Sequence, residues 1–182
     1  MNKIKSFTLI ELVISILLSS IIAISSYSAY FYINLVVNKK MELIYLNEVA
    51  LHMLTFLSRD IRNAGFEEQF SANGEILTPI IVTNDNNITL TYDLNQTRRI
   101  IRNYIFNTND NKVYVNETLL DSLTPTQTII NRPIAIDVAN LNFSQDAINP
   151  KRIIIDLNLT TKNQYNGANI VRTFRQVEYQ RN

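Results

Sequence analysis

The chain has little of what most catalytic and metal-binding sites are made of. Its 182 residues include no cysteine, one histidine (His52) and three glycines. The absence of cysteine excludes disulfide bonds, thiolate metal sites and cysteine nucleophiles. A single histidine leaves almost no material for a histidine metal site or a catalytic triad, and three glycines leave no phosphate-binding loop. We therefore expect no catalytic residues, no metal site and no cofactor.

An excess of charge of one sign is also missing. Lysine and arginine number 17 against 16 aspartates and glutamates, a formal net charge of +1, whereas a general nucleic-acid binder needs a surplus of cations. The arginines form two small groups, which we interpret as solvated strand faces because the total is nearly neutral. The groups are Arg98, Arg99 and Arg102, and Arg172, Arg175 and Arg181. We expect no nucleic-acid partner.

One long apolar run near the N-terminus dominates the chain. It follows Lys3 and Lys5, extends from Phe7 to Val37, and contains one charge, Glu11, and no proline or glycine. A helix of this length spans about 46 Å, and the hydrocarbon core of a bilayer about 30 Å. We predict a transmembrane helix over residues 7–37. The two lysines ahead of it keep the N-terminus in the cytoplasm and send the rest across.

The charge at Glu11 separates the possible explanations of this segment. A secretory signal peptide has an apolar core of only about 7–15 residues. A plain signal anchor fits the length but does not explain a carboxylate that costs about 2.5–3.5 kcal/mol in the membrane. Glu11 could alternatively lie one turn into the bilayer and reach the headgroups.

The string from Lys5 to Leu12 resembles the class III leader of type IV pilins and type II secretion pseudopilins. The resemblance implies that a prepilin peptidase cleaves between Ser6 and Phe7, that Phe7 is then N-methylated, and that Glu11 is the fifth mature residue. The family usually has glycine where this chain has Ser6. It further implies that Glu11 pairs with a Phe7 amine, in its own chain or the neighbouring subunit, and so sets the filament register.

An amphipathic pattern continues the helix beyond the membrane. Apolar residues recur every three or four positions at Leu43, Leu46, Ala50, Met53, Leu57 and Ala64, with Leu54 and Ile61 beside them. We predict one helix over residues 7–65 that ends at a Gly65 C-cap; two helices with a break near Val37 to Lys40 are the alternative. We interpret His52 as a solvated neighbour of Glu48 and expect Asp60 to pair with an arginine.

After Gly65 the period changes to two, which predicts a β-rich head over residues 66–182. Strands are expected at Ile76–Val82, Ile88–Leu94, Arg99–Phe106, Lys112–Val115, Ile134–Val138, Ile153–Leu159 and Ile170–Tyr179. No helical pattern separates them, so the sheets should be antiparallel, with one face on the helix. The predicted fold class is α+β, a long N-terminal spine helix packed on an antiparallel β-sheet head, as in type IV pilins.

Two further segments, Ser58–Phe66 and Val171–Asn182, resemble the end of the spine helix and the closing strand of PilW-type minor pilins. The resemblance implies a leader at residues 1–6 and a role in priming pilus assembly, including a place at the tip. It implies an inner-membrane protein, single-pass with a periplasmic head, that later reaches the pilus. The implied partners are other minor and major pilins, the prepilin peptidase, the inner-membrane assembly platform and membrane lipid.

Two alternatives remain open from the sequence. One is a minor pseudopilin of type II secretion, of the J type, or of a competence pseudopilus. The other is a membrane-tethered periplasmic enzyme that uses a glycosidase-like pair among Asp137, Asp146 and Asp156.

Overall fold

A computed structural model describes residues 8–66, 78–95, 97–121, 128–165 and 167–180, which form one long helix followed by eight strands. Their bounds are α1 (Leu9–Asn63), β1 (Ile80–Asn84), β2 (Asn87–Asn95), β3 (Arg98–Asn107), β4 (Lys112–Asp121), β5 (Thr128–Ala135), β6 (Val138–Gln145), β7 (Arg152–Thr160) and β8 (Val171–Tyr179). The predicted fold class, a long N-terminal helix with antiparallel sheets, is confirmed.

Helix α1 is unbroken over its 55 residues. No proline or glycine interrupts it, so no backbone hydrogen bond is lost along its length, and the alternative of a break near Val37 to Lys40 is wrong. The chain divides into two compact units between Glu42 and Leu43. The helical part of the first unit and the rest of α1 are therefore described separately.

The part of α1 in the second unit has one buried face. Leu46, Ala50, Met53, Leu57 and Ile61 are at most 1 % exposed, as their three- and four-residue spacing predicted. They form a single core with residues from both sheets. The sheet members of that core are Ile88, Leu90, Tyr104, Phe106, Val113, Val115, Ala135, Val138, Leu141, Phe143, Ile153, Ile155, Leu157 and Leu159.

The strands form two antiparallel sheets. The five-stranded sheet has the order β1-β2-β3-β4-β5 and the three-stranded sheet the order β6-β7-β8. Turns of the first sheet meet strand β6 of the second. The Phe143 N–H donates to the Asp85 carbonyl at 2.7 Å, and the Val138 N–H donates to the Asn111 carbonyl at 3.0 Å. The two sheets therefore share one core without a strand common to both.

The predicted strand over Ile134–Val138 is wrong. Strand β5 ends at Ala135 and β6 begins at Val138, with a turn between them at which Asp137 has φ 60°. The alternation of Ile134, Ile136 and Val138 suggested one strand, but aspartate tolerates the left-handed region that a sharp turn needs. The chain passes from one sheet to the other at this turn.

The end of α1 is joined to the five-stranded sheet. Gly65 has φ +82°, as expected of a glycine C-cap, and its N–H donates to the Thr91 carbonyl of the sheet at 3.0 Å. A Cβ at this position would collide with the side chain of Gln180 and lie 3.1 Å from the Cβ of Pro79. Glycine is thus required here by backbone conformation, and the contact with Pro79 leaves little room for a Cβ.

Candidate assembly site

Glu11 lies in the first turn of α1, where it forms a capping box with Thr8. The Thr8 N–H and Oγ1 both donate to Glu11 Oε2 at 2.9 Å, and the Glu11 N–H faces Thr8 Oγ1 at 3.4 Å. The carboxylate thereby satisfies donors at the helix start that would otherwise lack partners. Thr8 was missed in the sequence, although Thr8-Leu9-Ile10-Glu11 has the Ser/Thr-x-x-Glu spacing of this motif.

The helical part of the first unit exposes an apolar surface on all sides. Except for the half-buried Val36, its large apolar side chains are 43–82 % exposed. The stretch is long and apolar enough to cross a membrane, with none of its most apolar part buried. Three of its hydroxyls are satisfied within the helix: Ser15 and Ser19 donate to the Glu11 and Ser15 carbonyls at 2.8 and 2.7 Å, and Ser20 donates to the Leu17 carbonyl at 2.7 Å. Both the exposure and the internal hydrogen bonding suit an apolar surrounding.

A buried charge cluster joins the second unit's part of α1 to the five-stranded sheet. The Asp60 side chain is fully buried, and Arg102 Nη1 lies 2.8 Å from both of its carboxylate oxygens. The Tyr104 hydroxyl also donates to Asp60, and Arg102 Nε donates to Glu117 at 2.7 Å. The expected pairing of Asp60 with an arginine is confirmed, with a residue 42 positions away in sequence.

Burial of this cluster changes the ionisation of its members. Loss of solvent, and after it the nearby Asp60 charge, raises the pKa of Tyr92 to about 12 and also raises the pKa of Tyr104. Burial lowers the pKa of Arg102, but its bonds to Asp60 and Glu117 outweigh that effect and the net shift is upward. The cluster therefore keeps neutral phenols beside the ion pair of Asp60 and Arg102.

The expectation that Arg98, Arg99 and Arg102 form a solvated face is wrong for two of the three. Arg99 Nε lies 2.7 Å from Asp93, with side chains 9 % and 1 % exposed, and Arg102 belongs to the buried cluster. Only Arg98 is largely exposed, at 53 %, where it pairs with Asp121. The composition gives the total charge of the chain, but it does not show which arginines pair with acidic residues. Such pairing allows Arg99 and Arg102 to be buried.

The end of α1 contacts the closing strand β8. Gln176 donates to the Ser58 Oγ at 2.5 Å, and Arg62 Nε lies 3.5 Å from Glu178. The two segments that resemble PilW-type minor pilins, 118 residues apart at this hydrogen bond, are thus in direct contact. Residues 181–182 of the second segment lie outside the described residues.

The three carboxylates considered for catalysis do not converge. Asp137 and Asp146 flank opposite ends of β6, about 25–30 Å apart at 3.3 Å per residue. Asp156, in the middle of β7, lies about four strand positions from either end, beyond the spacing of a glycosidase pair. Each has its own cation: Lys162 at 3.6 Å, Arg152 at 2.8 Å and Arg175 at 3.4 Å, in that order.

The remaining candidate groups serve local packing. His52 stacks edge-to-face on Phe56 with ring centroids 4.9 Å apart, rather than pairing with Glu48. The backbone hydrogen bond from Ile148, followed by the bonds from the Arg152 side chain and the Asn149 N–H, lowers the pKa of Asp146. Within the described ranges, no three His, Asp or Glu side chains lie close enough to hold a metal ion together.

The N-terminal segment matches a known family. Residues 1–27 match the family described as the prokaryotic N-terminal methylation motif, which confirms the resemblance to type IV pilins and pseudopilins. Comparison with curated proteins and with solved structures gave no match. Ser6 and Phe7, the residues at the implied cleavage site, lie outside the described residues. Motif and apolar helix together fit anchoring in the inner membrane.

Proposed function

We propose that this chain, a type IV pilin-like protein by its methylation motif and fold, is a minor type IV pilin of the PilW type. It acts in priming pilus assembly and can lie at the pilus tip. Residues 1–6 are its leader, 7–65 its spine helix with the transmembrane half at 7–37, and 66–182 its periplasmic head. Its partners are other minor and major pilins, the prepilin peptidase, the inner-membrane assembly platform and membrane lipid.

The observation that carries this proposal is a carboxylate at the head of an exposed apolar helix. Glu11 opens a stretch whose large apolar side chains are exposed, apart from the half-buried Val36, so both the membrane and a filament core would surround it with apolar groups. A carboxylate in such surroundings needs a cation. Cleavage before Phe7 would create one, the new α-amine, and pairing across subunits would fix how far one helix is shifted against the next.

The PilW assignment is supported by the contact between α1 and β8. The two segments that carry this resemblance meet through Gln176 and Ser58, and through Arg62 and Glu178. Both segments therefore contribute to one structural feature, the attachment of the closing strand to the spine helix. Separate chance similarities would not be expected to converge in this way.

Processing is tested by mass spectrometry of the membrane-purified protein. We expect the mature chain to begin at Phe7 with a methylated amine. Ser6→Gly should speed cleavage, because the family usually has glycine at this position, and Ser6→Lys should stop it. An intact Met1 in cells with active prepilin peptidase would overturn the processing proposal.

The role of Glu11 is tested by complementation of a deletion strain that lacks pili. Glu11→Gln removes the charge, but glutamine can still accept the hydrogen bonds of the capping box. Thr8→Val is the matched control, because it removes the hydroxyl of the box and keeps the charge. We expect the Glu11→Gln chain to be inserted and processed but to give no pili, and the Thr8→Val chain to restore them.

Other outcomes of this experiment decide between functions. Normal pili with Glu11→Gln would exclude the register mechanism. If Thr8→Val abolished pili and Glu11→Gln did not, the role of Glu11 would be limited to capping the helix. A deletion strain with normal pili but defective protein secretion or DNA uptake would replace the pilus assignment by the pseudopilin alternatives.

A further inference from the structure

Strand β8 presents a long free edge. It is the last strand of the order β6-β7-β8, and among the described strands it pairs only with β7. Its nine residues pair in continuous register, without a bulge, and include no proline. An uninterrupted edge of this length is a template for another strand, and proteins usually block such edges.

The hydrogen bonds at both ends of the β7–β8 pair show which groups point outwards. The Gln180 N–H donates to the Lys151 carbonyl at 2.9 Å, and the Thr161 N–H donates to the Ile170 carbonyl at 3.0 Å. Because antiparallel hydrogen bonding alternates along a strand, the even-numbered residues of β8 bond to β7. The odd-numbered residues direct their N–H and C=O groups away from it. These are Val171, Thr173, Arg175, Val177 and Tyr179.

The other edges are blocked. Strand β5 carries Pro133, which has no N–H to offer to a further strand. Strand β1 is only five residues long and its pairing is interrupted by a bulge. The outer edge of β6 is engaged by Asp85 and Asn111, whose carbonyls accept its N–H groups. Of the described edges, β8 is the one left open along its whole length.

This open edge is also rigid and partly apolar. The even-numbered side chains Gln176 and Glu178 hold it against α1 at 2.5 and 3.5 Å. On the odd-numbered face, Val171 and Tyr179 are 54 % and 53 % exposed. An incoming strand would therefore find the edge already in its bound conformation, which lowers the entropy cost of association.

We infer that the β8 edge accepts an extended strand from a different pilin-type protein, which completes the three-stranded sheet as a fourth strand. The inference rests on the proposed function in one respect, that the partner belongs to the same assembly. Main-chain hydrogen bonds from the odd-numbered residues would supply the affinity, and side-chain contacts beside them the specificity.

Charge at the centre of the strand argues against a second copy. In the longest antiparallel self-pairing of β8, Arg175 of one chain would lie opposite Arg175 of the other, and like charges in that position are destabilising. Arg175 is only partly neutralised by Asp156, at 3.4 Å. The fitting partner strand has an acidic residue opposite Arg175 and apolar residues opposite Val177 and Tyr179.

Residue-resolved hydrogen–deuterium exchange tests the inference. The full chain in detergent is measured alone and then co-expressed, one at a time, with each other full-length protein of the same genome that carries the methylation motif. We expect fast exchange at the odd-numbered amides of β8 in the chain alone. In one of the complexes these amides should become protected, while the even-numbered amides are protected in both states.

Proline substitution supplies a second test. Thr173→Pro removes one outward N–H and leaves the bonds to β7 intact, whereas Thr173→Val keeps that N–H. We expect the proline variant to weaken association about tenfold and the valine variant to leave it unchanged. Unaltered protection of the even-numbered amides in Thr173→Pro shows that its sheet is folded; the exchange measurement on the natural chain does not depend on this variant.

Each remaining outcome contradicts the inference. A complex that forms without protection of the odd-numbered amides overturns strand addition and leaves the proposed function standing. Protection that appears in the chain alone as its concentration rises identifies a second copy as the occupant. Failure of every co-expressed protein to bind overturns the inference, and the proposed function falls only if the deletion strain also makes normal pili.

Discussion

The carboxylate of Asp60 is the charged group most enclosed by the head, and its surroundings explain how it is tolerated. It accepts hydrogen bonds from Arg102 and Tyr104, so that its desolvation is offset by charge and by donors. These partners lie on β3, and Asp60 lies on α1. Sliding or rotating the helix would break bonds that water cannot replace, which assigns the cluster a role in fixing the helix on the sheet.

Removal of the arginine from this cluster should be costly. We expect Arg102→Gln to lower the free energy of unfolding by about 3–5 kcal/mol, because Asp60 is left as a buried charge without its main partner. Arg98→Gln, four residues earlier on β3, is the matched control and should change it by less than about 1 kcal/mol, since Arg98 and Asp121 form an exposed pair. Urea unfolding of the detergent-solubilised chain measures both. Equal effects at the two positions would contradict the assigned role.

The buried phenols predict loss of stability at alkaline pH. The folded state raises the pKa of Tyr92 to about 12 and also raises that of Tyr104, whereas an unfolded tyrosine titrates at about 10. Their contribution is complete below pH about 10 and is lost as pH rises from there, because the unfolded state releases the protons first.

A tyrosine substitution makes this pH dependence testable. Tyr104→Phe removes one of the two phenols and the hydrogen bond to Asp60. We expect lower stability than the natural chain near neutral pH but a shallower decline at alkaline pH. Urea unfolding at about pH 8 and about pH 11 provides the comparison. Parallel declines in the two proteins would show that Tyr104 does not carry the effect.

At the scale of the element, α1 is one continuous helix whose two parts have differently exposed side chains. Over residues 9–37 its large apolar side chains are exposed on all sides, except for the half-buried Val36. From Leu46 onwards a stripe is buried, and the opposite face is exposed and mostly polar. The same 3.6-residue geometry serves both, since an all-apolar surface suits lipid or a filament core and a one-sided stripe suits a globular head.

Because only one face of the helix is buried, alanine substitutions at neighbouring positions should differ greatly in their effect on the free energy of unfolding. Met53→Ala and Leu57→Ala should each lower the free energy of unfolding by about 2–5 kcal/mol, because both side chains are fully buried and leave a cavity. Leu51→Ala, at a side chain 70 % exposed on the same helix, should change it by less than about 0.5 kcal/mol. Near-zero changes at both buried sites in urea unfolding would contradict packing of the helix on the sheets.

At the scale of the whole molecule, the division between Glu42 and Leu43 separates the apolar segment from a unit with its own core. We expect a chain lacking residues 1–34 to be soluble and folded. Its far-UV circular dichroism should show both helix and strand, and its unfolding should be cooperative. Aggregation or non-cooperative unfolding of this fragment would show that the head needs the apolar segment for stability.

Several features followed from the sequence alone because they depend on near neighbours. The apolar run, its length and Glu11 are local, so membrane-spanning capacity and the methylation motif were readable without a structure. The stripe from Leu46 to Ala64 has helical spacing, and Gly65 follows it, which predicted both the buried face and the helix end. Two-residue alternation predicted most strands for the same reason.

Only the tertiary structure decided which distant residues meet. The bond between Asp60 and Arg102 spans 42 positions, that between Ser58 and Gln176 spans 118, and no local pattern encodes such pairs. The tertiary structure also determines the turn at Asp137. The alternating pattern favours a continuous strand, but the two sheets share one core because the chain leaves one sheet and enters the other at this turn. Strand order, and with it the free edge of β8, depends likewise on pairing between distant segments, which local propensity does not specify.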